Sequence, residues 1–353
     1  MELTAKIQIY VSEAQKALLL DSMRAYSDAC NFVSHYVYTT KDLSSVQKHT
    51  YCDIRNKYHL PSQMACNVIH TVIGSYKTNK ANGVTWKECK YKPQMELSWN
   101  RDYSLKDKFS IGTIKGRIKV DYAKKGMGKY LDKRYGAAKV LYKNGKFFLY
   151  ISVKCDCEEY ELSNIVCIDR GIRFLATTYD GQKTIFFSGK DVKKKRVHYK
   201  ELRRQLQQVG TPSARRRLKA IGQRENRWMR DVNHCISKAL TENPKGTLFV
   251  LEDLKGIRSV TEKVKVKDRY VTVSWAYYDL EQKLTYKAEM NGQRVIKVDP
   301  AYTSQTCPKC GHTEPANRDK RKHSFCCKCC GYRSNDDRIG AMNLYNRVAS
   351  QQV

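Results

Sequence analysis

The sequence predicts a multidomain chain of mixed class, an α+β unit followed by an α/β unit that carries a cysteine-ligated metal module. Three observations lead there. Apolar residues repeat with period two at the start of the chain and again between about 100 and 155, with helix-period stripes between them. After Asn164, short apolar runs alternate with long amphipathic stretches. Near the end, two C-x-x-C pairs stand 16 residues apart.

Residues 2–11 alternate as a half-buried strand, with Leu3, Ala5, Ile7, Ile9 and Val11 on one face and Lys6, Gln8 and Tyr10 on the other. Ser12 with Gln15 forms a capping box. The helix it opens places Leu19, Met23, Tyr26, Cys30, Val33 and Val37 on one stripe. Pro61 opens another helix, buried along Ala65, Val68, Val72 and Tyr76. Ile114, Ile118, Val120 and Tyr122 are expected to line one strand face. Asn144-Gly145 between alternating runs is a hairpin turn.

The second unit opens with an apolar strand, 165–168, that ends in Asp169, and Asp180-Gly181 turns the chain into the next apolar run. A basic stretch from Lys193 to Arg230 follows, continued by Trp228, Val232, Ile236 and Leu240 as an amphipathic helix. Then come a strand over 247–251 ending at Glu252, a helix around Trp275–Met290, a strand over 295–298, the cysteine cluster, and a last helix from about Asn335 to Val348.

The 353 residues carry 66 Lys+Arg against 35 Asp+Glu, a net charge of +31. Self-repulsion on this scale destabilises a compact state unless a polyanion neutralises it. Nucleic acid does so with release of condensed counterions. The positive charge runs along the whole chain, which predicts a protein that wraps nucleic acid. No segment has the apolar length to span a bilayer, and the alternating, charged first twenty residues do not read as a signal peptide. Six of the 14 cysteines fall between Cys307 and Cys330 and the rest are scattered, so a reducing, cytoplasmic compartment with one metal site is expected.

The pairs Cys307/Cys310 and Cys327/Cys330 each end in Cys-Gly, where glycine permits the tight turn that aims backbone N–H groups at thiolates. Four thiolates at this spacing suit tetrahedral zinc in a closed, structural site. Cys326 and Cys329 form an overlapping pair, so spacing alone leaves the register open. Gly331 favours Cys327 and Cys330, with His312 and His323 as the less favoured substitutes.

Three acids stand at informative places: Asp169 and Glu252 at strand ends, and Asp337 in the first turn of the final helix. Carboxylates projecting over one sheet edge can converge and hold magnesium, which prefers hard oxygen ligands. Two such ions activate water and stabilise the leaving oxygen in phosphodiester hydrolysis. Taken singly, an acid past a strand is most often a turn residue, and one in a first helical turn a dipole partner.

The segments IVCIDRGIRFLATTYDG, LFVLEDLKGI, VDPAYTSQTCPKCGH and FCCKCCGYRSNDDRIGAMNL, in that order, resemble the TnpB (OrfB) proteins of insertion sequences, relatives of the type V CRISPR effector nucleases. The resemblance is continuous over roughly 160–348 and looser before, through the first strand and helix and Leu60-Pro-Ser-Gln63. It implies Asp169, Glu252 and Asp337 as the acids of RuvC motifs I, II and III. Asp337 is preferred over Asp336 because Ala341 and Asn343 then fall on the D-x-x-A-A-x-N positions, with Gly340 in place of the first alanine. Arg170 beside the first acid departs from the pattern.

The resemblance also implies an N-terminal β-barrel (wedge) over 1–160 with a helical recognition insertion at about 12–95. An RNase H-like (RuvC) domain over 161–353 would follow, with a zinc ribbon inserted at about 302–334. The function so implied is an RNA-guided DNA endonuclease of a transposable element, in the bacterial or archaeal cytoplasm and at the nucleoid. It would work by two metals, Mg²⁺ or Mn²⁺, with structural Zn²⁺, as one monomer per RNA. Its partners would be a guide RNA from the element's end and double-stranded DNA bearing a short adjacent motif. The basic stretch 193–230 would wall a heteroduplex channel, and Tyr36, Tyr38, Tyr76 and Trp86 are aromatics available to bases or to packing. Competing readings are a compact type V CRISPR effector, a non-cutting RNA- or DNA-binding repressor, and a strand-joining transposase.

Overall fold

Strand β1 (Glu2–Tyr10) buries Ala5, Ile7 and Ile9 and turns its alternate residues outward. This is the period-two pattern of a sheet with one covered face. The computed structural model describes residues 1–130, 133–254 and 277–350. The last three residues of LFVLEDLKGI, and Trp275 with the residue after it, lie outside the described residues. The chain divides into two compact units, Met1–Asp156 and Cys157–Val353. Among the described residues no helix is long and apolar enough to cross a membrane.

In the first unit, the Ser12 side chain accepts from the Gln15 backbone, and the Gln15 side chain answers at the Ser12 N–H. That reciprocal cap starts helix α1 (Glu13–Thr40), whose stripe from Leu19 to Val37 is fully buried. Helices α2 (Val46–Tyr58) and α3 (Ser62–Ala81, entered from Pro61) pack against it. Tyr76 is spent in this packing: its hydroxyl meets Ser34, and Trp86 lies 4.9 Å away, ring to ring.

Strands β2 (Met95–Leu97), β3 (Tyr103–Leu105), β4 (Phe109–Thr113), β5 (Gly116–Tyr122), β6 (Arg134–Lys143) and β7 (Lys146–Lys154) join β1 in a seven-stranded antiparallel sheet of order β2-β6-β7-β1-β5-β4-β3. A bridge between Trp99 and Tyr103 brings its two edges together, so the sheet is nearly closed. The β6–β7 hairpin turns on Asn144 and Gly145, both left-handed (φ 52 and 76). The type I′ turn requires that of both positions. Ile114 does not share the strand face expected for it; it sits in the β4–β5 turn.

The second unit is built on β8 (Asn164–Asp169), β9 (Phe174–Tyr179), β10 (Thr184–Ser188), β11 (Thr247–Glu252) and β12 (Arg294–Val298), in the order β10-β9-β8-β11-β12. The first three are antiparallel neighbours, whereas β8, β11 and β12 run parallel. The basic stretch is two helices, α4 (Lys190–Val209) and α5 (Pro212–Leu240), broken at the left-handed Gly210 and restarted by Thr211, whose side chain caps Ala214. Helix α5 and helix α6 (Tyr277–Met290) cover one sheet face through Met229, Ile236, Leu240, Leu280 and Leu284 over Val166, Ile168, Phe249 and Leu251. Helix α7 (Asp336–Ala349) covers the other, with Leu344 and Val348 over Cys167, Leu248 and Val250. Between β12 and α7 stands a small sheet of β13 (Arg318–Asp319), β14 (Ser324–Cys326) and β15 (Arg333–Asn335).

Leu149 is fully buried on β7 between β1 and β6. Leu149→Ala is expected to destabilise the first unit by about 2–5 kcal/mol, read as a lower urea midpoint. A shift below about 1 kcal/mol would mean that this face is not packed as described.

Candidate functional site

Parallel pairing sets Leu251 of β11 opposite Ile168 of β8, so the next residues, Glu252 and Asp169, end the two strands side by side. Side chains two residues apart share a face. Cys167 and Val250 face α7, and Asp169 and Glu252 therefore face it too. The side chain of Asn335 caps α7 by accepting from the N–H groups of Asp337 and Arg338, which fixes Asp337 in the first turn over the same edge. The three acids named from sequence thus gather at the carboxyl ends of parallel strands where the sheet changes direction, the usual place for a ligand in such sheets, although their oxygens do not all come within 4.8 Å of one another.

Their electrostatics agree with close approach. Burial first, and then the charges of Glu252 and Asp337, push the Asp169 carboxyl well above the usual carboxylate range. Burial raises Glu252, against a lowering by the Thr303 hydroxyl that donates to its Oε1 at 2.8 Å. Burial and the neighbouring Asp336 raise Asp337. Asp337 Oδ2 is buried with no hydrogen-bond partner. Neighbouring carboxylates that raise one another's proton affinity, one with an unpartnered oxygen, are chemically suited to a hard divalent ion. Gly340 stands against this cluster: a Cβ there would lie 3.1 Å from the Asp169 carboxyl.

The adjacent Asp336 is fully buried but engaged, accepting from Arg318 Nε at 2.9 Å. That engagement separates the two neighbouring acids of α7. Three supports have roles that the sequence does not announce, although Arg170 and Asn343 stand out in it. Arg170 is buried and donates to the Glu252 carbonyl and, at 3.1 Å, to Glu281 on α6, which explains its place beside Asp169. Thr303 is one; a loop threonine carries no pattern that could have announced it. Asn343, marked by the D-x-x-A-A-x-N spacing, donates to the carbonyls of Thr303 and Thr306 at 2.6 and 2.7 Å and so holds the loop that orients Glu252.

Cys307, Cys310, Cys327 and Cys330 converge at the end of the small sheet. The two knuckles repeat one geometry. The Gly311 and Gly331 N–H groups donate to the carbonyls of Cys307 and Cys327, and both glycines are left-handed (φ 74 and 71). Sγ separations of 3.6 Å (Cys307–Cys330) and 3.5 Å (Cys310–Cys327) are too long for a disulfide. They approach the ~3.8 Å edge of a tetrahedron with ~2.3 Å metal–sulfur bonds. The Cys330 and Cys329 backbone N–H groups lower the Cys327 thiol, while Cys310 and Cys330 are raised, as expected where closely held thiols compete for one negative charge. Cys326 lies within β14 and Cys329 is exposed; neither joins the four, and His312 turns to Glu314.

Cys327→Ser is expected to bring bound zinc, measured by elemental analysis, well below one per chain, while Cys326→Ser leaves it at one. The reverse pattern would move the register. Asp169→Asn, which removes one of three repelling charges, is expected to stabilise the protein by roughly 1 kcal/mol when no divalent ion other than zinc is supplied, read as a higher melting temperature. A lower one would contradict the clustering.

Residues 277–344 match the family model described as Cas12f1-like, TNB domain. Over 94 residues, 27% of this chain and 20% of the relative, the chain is 43% identical to the CRISPR-associated endodeoxyribonuclease Cas12f1 of Sulfoacidibacillus thermotolerans. Over 135 residues, 37% of this chain and 46% of the relative, it is 32% identical to a TnpB-like protein of Methanocaldococcus jannaschii. The matched stretch is thus a fifth to about half the length of these curated relatives. A Cas12f1 solved by cryo-electron microscopy with sgRNA and target DNA shares the fold over 98% of both chains, with a TM-score of 0.66 at 14% identity. The resemblance read from the motifs therefore stands: the chain carries a Cas12f1-like TNB segment and is similar to TnpB-like proteins and their Cas12f1 relatives.

Proposed function

We propose that this chain is an RNA-guided DNA endonuclease. On this reading the second unit is an RNase H-like RuvC domain interrupted by a zinc ribbon, and the first is a wedge barrel with a helical recognition insertion. The observation that carries it is the meeting of Asp169, Glu252 and Asp337 on the face under α7, with an unpartnered oxygen on Asp337. The similarity to an endodeoxyribonuclease Cas12f1, and to a Cas12f1 solved in complex with sgRNA and target DNA, supports the substrate and partners.

Asp169, Glu252 and Asp337 would hold two divalent ions, Mg²⁺ or Mn²⁺. When bound, such ions activate a water and stabilise the leaving oxygen of a phosphodiester. The chain's own residues do the positioning. Thr303 orients the Glu252 carboxylate, Arg170 pins the backbone behind it, and Arg318 occupies Asp336 so that Asp337 alone of the pair turns to the ions. The cysteine site has four protein ligands and no open position, so its zinc is structural.

Specificity on this reading comes from guide pairing, with the protein holding the heteroduplex backbone. The exposed Arg215, Arg216, Arg217, Lys219, Arg224, Arg227 and Arg230 along α5 give that grip a continuous basic face. Intact acids oppose the non-cutting repressor, and the Cas12f1 likeness keeps a compact type V effector as the second reading. A repeat array beside the gene separates that reading from a transposon-borne nuclease.

The test is to express the chain with its flanking genomic sequence, purify it, and sequence the RNA that comes with it. One abundant RNA with a variable end is expected, and with Mg²⁺ the complex is expected to cut DNA matching that end. Asp169→Ala should drop cutting to background while RNA and target binding persist. Heterogeneous RNA removed by salt, or cutting retained in the variant, would overturn the reading.

A further inference from the structure

His323 was weighed from sequence only as a substitute zinc ligand, and the structure keeps it out of the four-cysteine site. It lies instead in the ribbon segment entering β14, in a left-handed conformation (φ 53). Its carbonyl accepts from Asn335 Nδ2 at 3.3 Å and from the Asp336 N–H at 3.5 Å, which ties it to the N-cap of α7. A ring nitrogen of His323 and carboxylate oxygens of Asp336 and Asp337 all lie within 4.8 Å of one another. Two buried atoms in this group have no hydrogen-bond partner, His323 Nδ1 and Asp337 Oδ2. Buried polar atoms are nearly always satisfied, and two orphans in one such group call for a shared third party. An ion pair of the imidazole with Asp336 is a poor account, since Nδ1 stands 3.7 Å from Asp336 Oδ1, beyond hydrogen-bond length, and Arg318 already holds that carboxylate.

We infer that His323 and Asp337 share one divalent cation, so that a nitrogen ligand carried by the ribbon completes one of the metal positions of the acid cluster. This rests on the proposed function and adds to it a ligand beyond the three acids. Its chemical consequence is selectivity. Magnesium prefers an all-oxygen octahedron and gains little from imidazole, whereas nitrogen ligands suit later divalent ions. A site with one imidazole therefore favours Mn²⁺ over Mg²⁺. It also links the two metal centres, because the hairpin that the zinc knuckle folds is the one that presents His323.

The test is calorimetric titration of the full, zinc-loaded chain with Mn²⁺ alone and with Mg²⁺ alone, comparing the parent with His323→Ala, His323→Asp and Asp337→Ala. Zinc content, unchanged in each variant, shows that the ribbon is intact. His323→Ala is expected to weaken Mn²⁺ roughly 10–100-fold and Mg²⁺ less. His323→Asp, which restores a ligand with hard oxygen, is expected to recover binding and move the preference toward Mg²⁺. Parent-like Mn²⁺ affinity in His323→Ala, with loss in Asp337→Ala, would remove His323 from the site and leave the acid cluster standing. Unchanged affinity in both variants would overturn the acid site and this inference with it.

Discussion

Three carboxylates gather at one edge of the second unit's sheet, Glu252 and Asp337 buried and Asp169 half-buried, and much of the surrounding architecture follows from keeping them there. Isolated carboxylates avoid burial, and three in mutual range raise one another's proton affinity. The fold opposes that tendency from several sides. The parallel register of β8 and β11 fixes Asp169 beside Glu252 through backbone hydrogen bonds that no side-chain movement can relax. The Asn335 cap fixes Asp337. Thr303 supplies a hydroxyl to Glu252, and Arg170 ties the backbone behind Glu252 to helix α6 through Glu281. On the proposed reading, a site so preorganised would take up a cation with little reorganisation.

The ribbon is part of that preorganisation. Its strands are two and three residues long, far too short to hold a sheet by their own hydrogen bonds, so on the proposed reading zinc in the four-cysteine centre would supply the folding energy. The segment before the first knuckle contributes Thr303, and the segment between the knuckles contributes Arg318 and His323. Asn343 of α7 closes the circuit by holding the carbonyls of Thr303 and Thr306. Loss of the zinc proposed for the four cysteines would thus be felt at the acids through named contacts.

Legibility in the sequence tracked the kind of force at work. Where burial patterning sets the structure, the reading was close. The capping box at Ser12, the stripe from Leu19 to Val37, the Asn144-Gly145 hairpin and the strands ending in Asp169 and Glu252 are all in place. The break in the basic stretch was written in Gly210, Thr211 and Pro212, a C-cap glycine followed by an N-cap and a first-turn proline. Net charge hid it, because the basic clusters run on across the break. The supports of the site were not legible. Thr303, Arg170 and His323 act through long-range contacts across 51, 82 and 12 residues of sequence. No local period encodes such contacts. Gly340 is a middle case: its departure from the family's alanine was visible, but only the 3.1 Å approach of Asp169 gives the reason.

The central claim is that Asp169, Glu252 and Asp337 form one cation site in a fold built to hold it. Anomalous diffraction from crystals of the zinc-loaded protein soaked in Mn²⁺, recorded at the manganese edge, tests it most directly. The account predicts manganese density among these three carboxylates. Crystals that show manganese elsewhere or nowhere, with the three carboxylates ordered and bare, would contradict it.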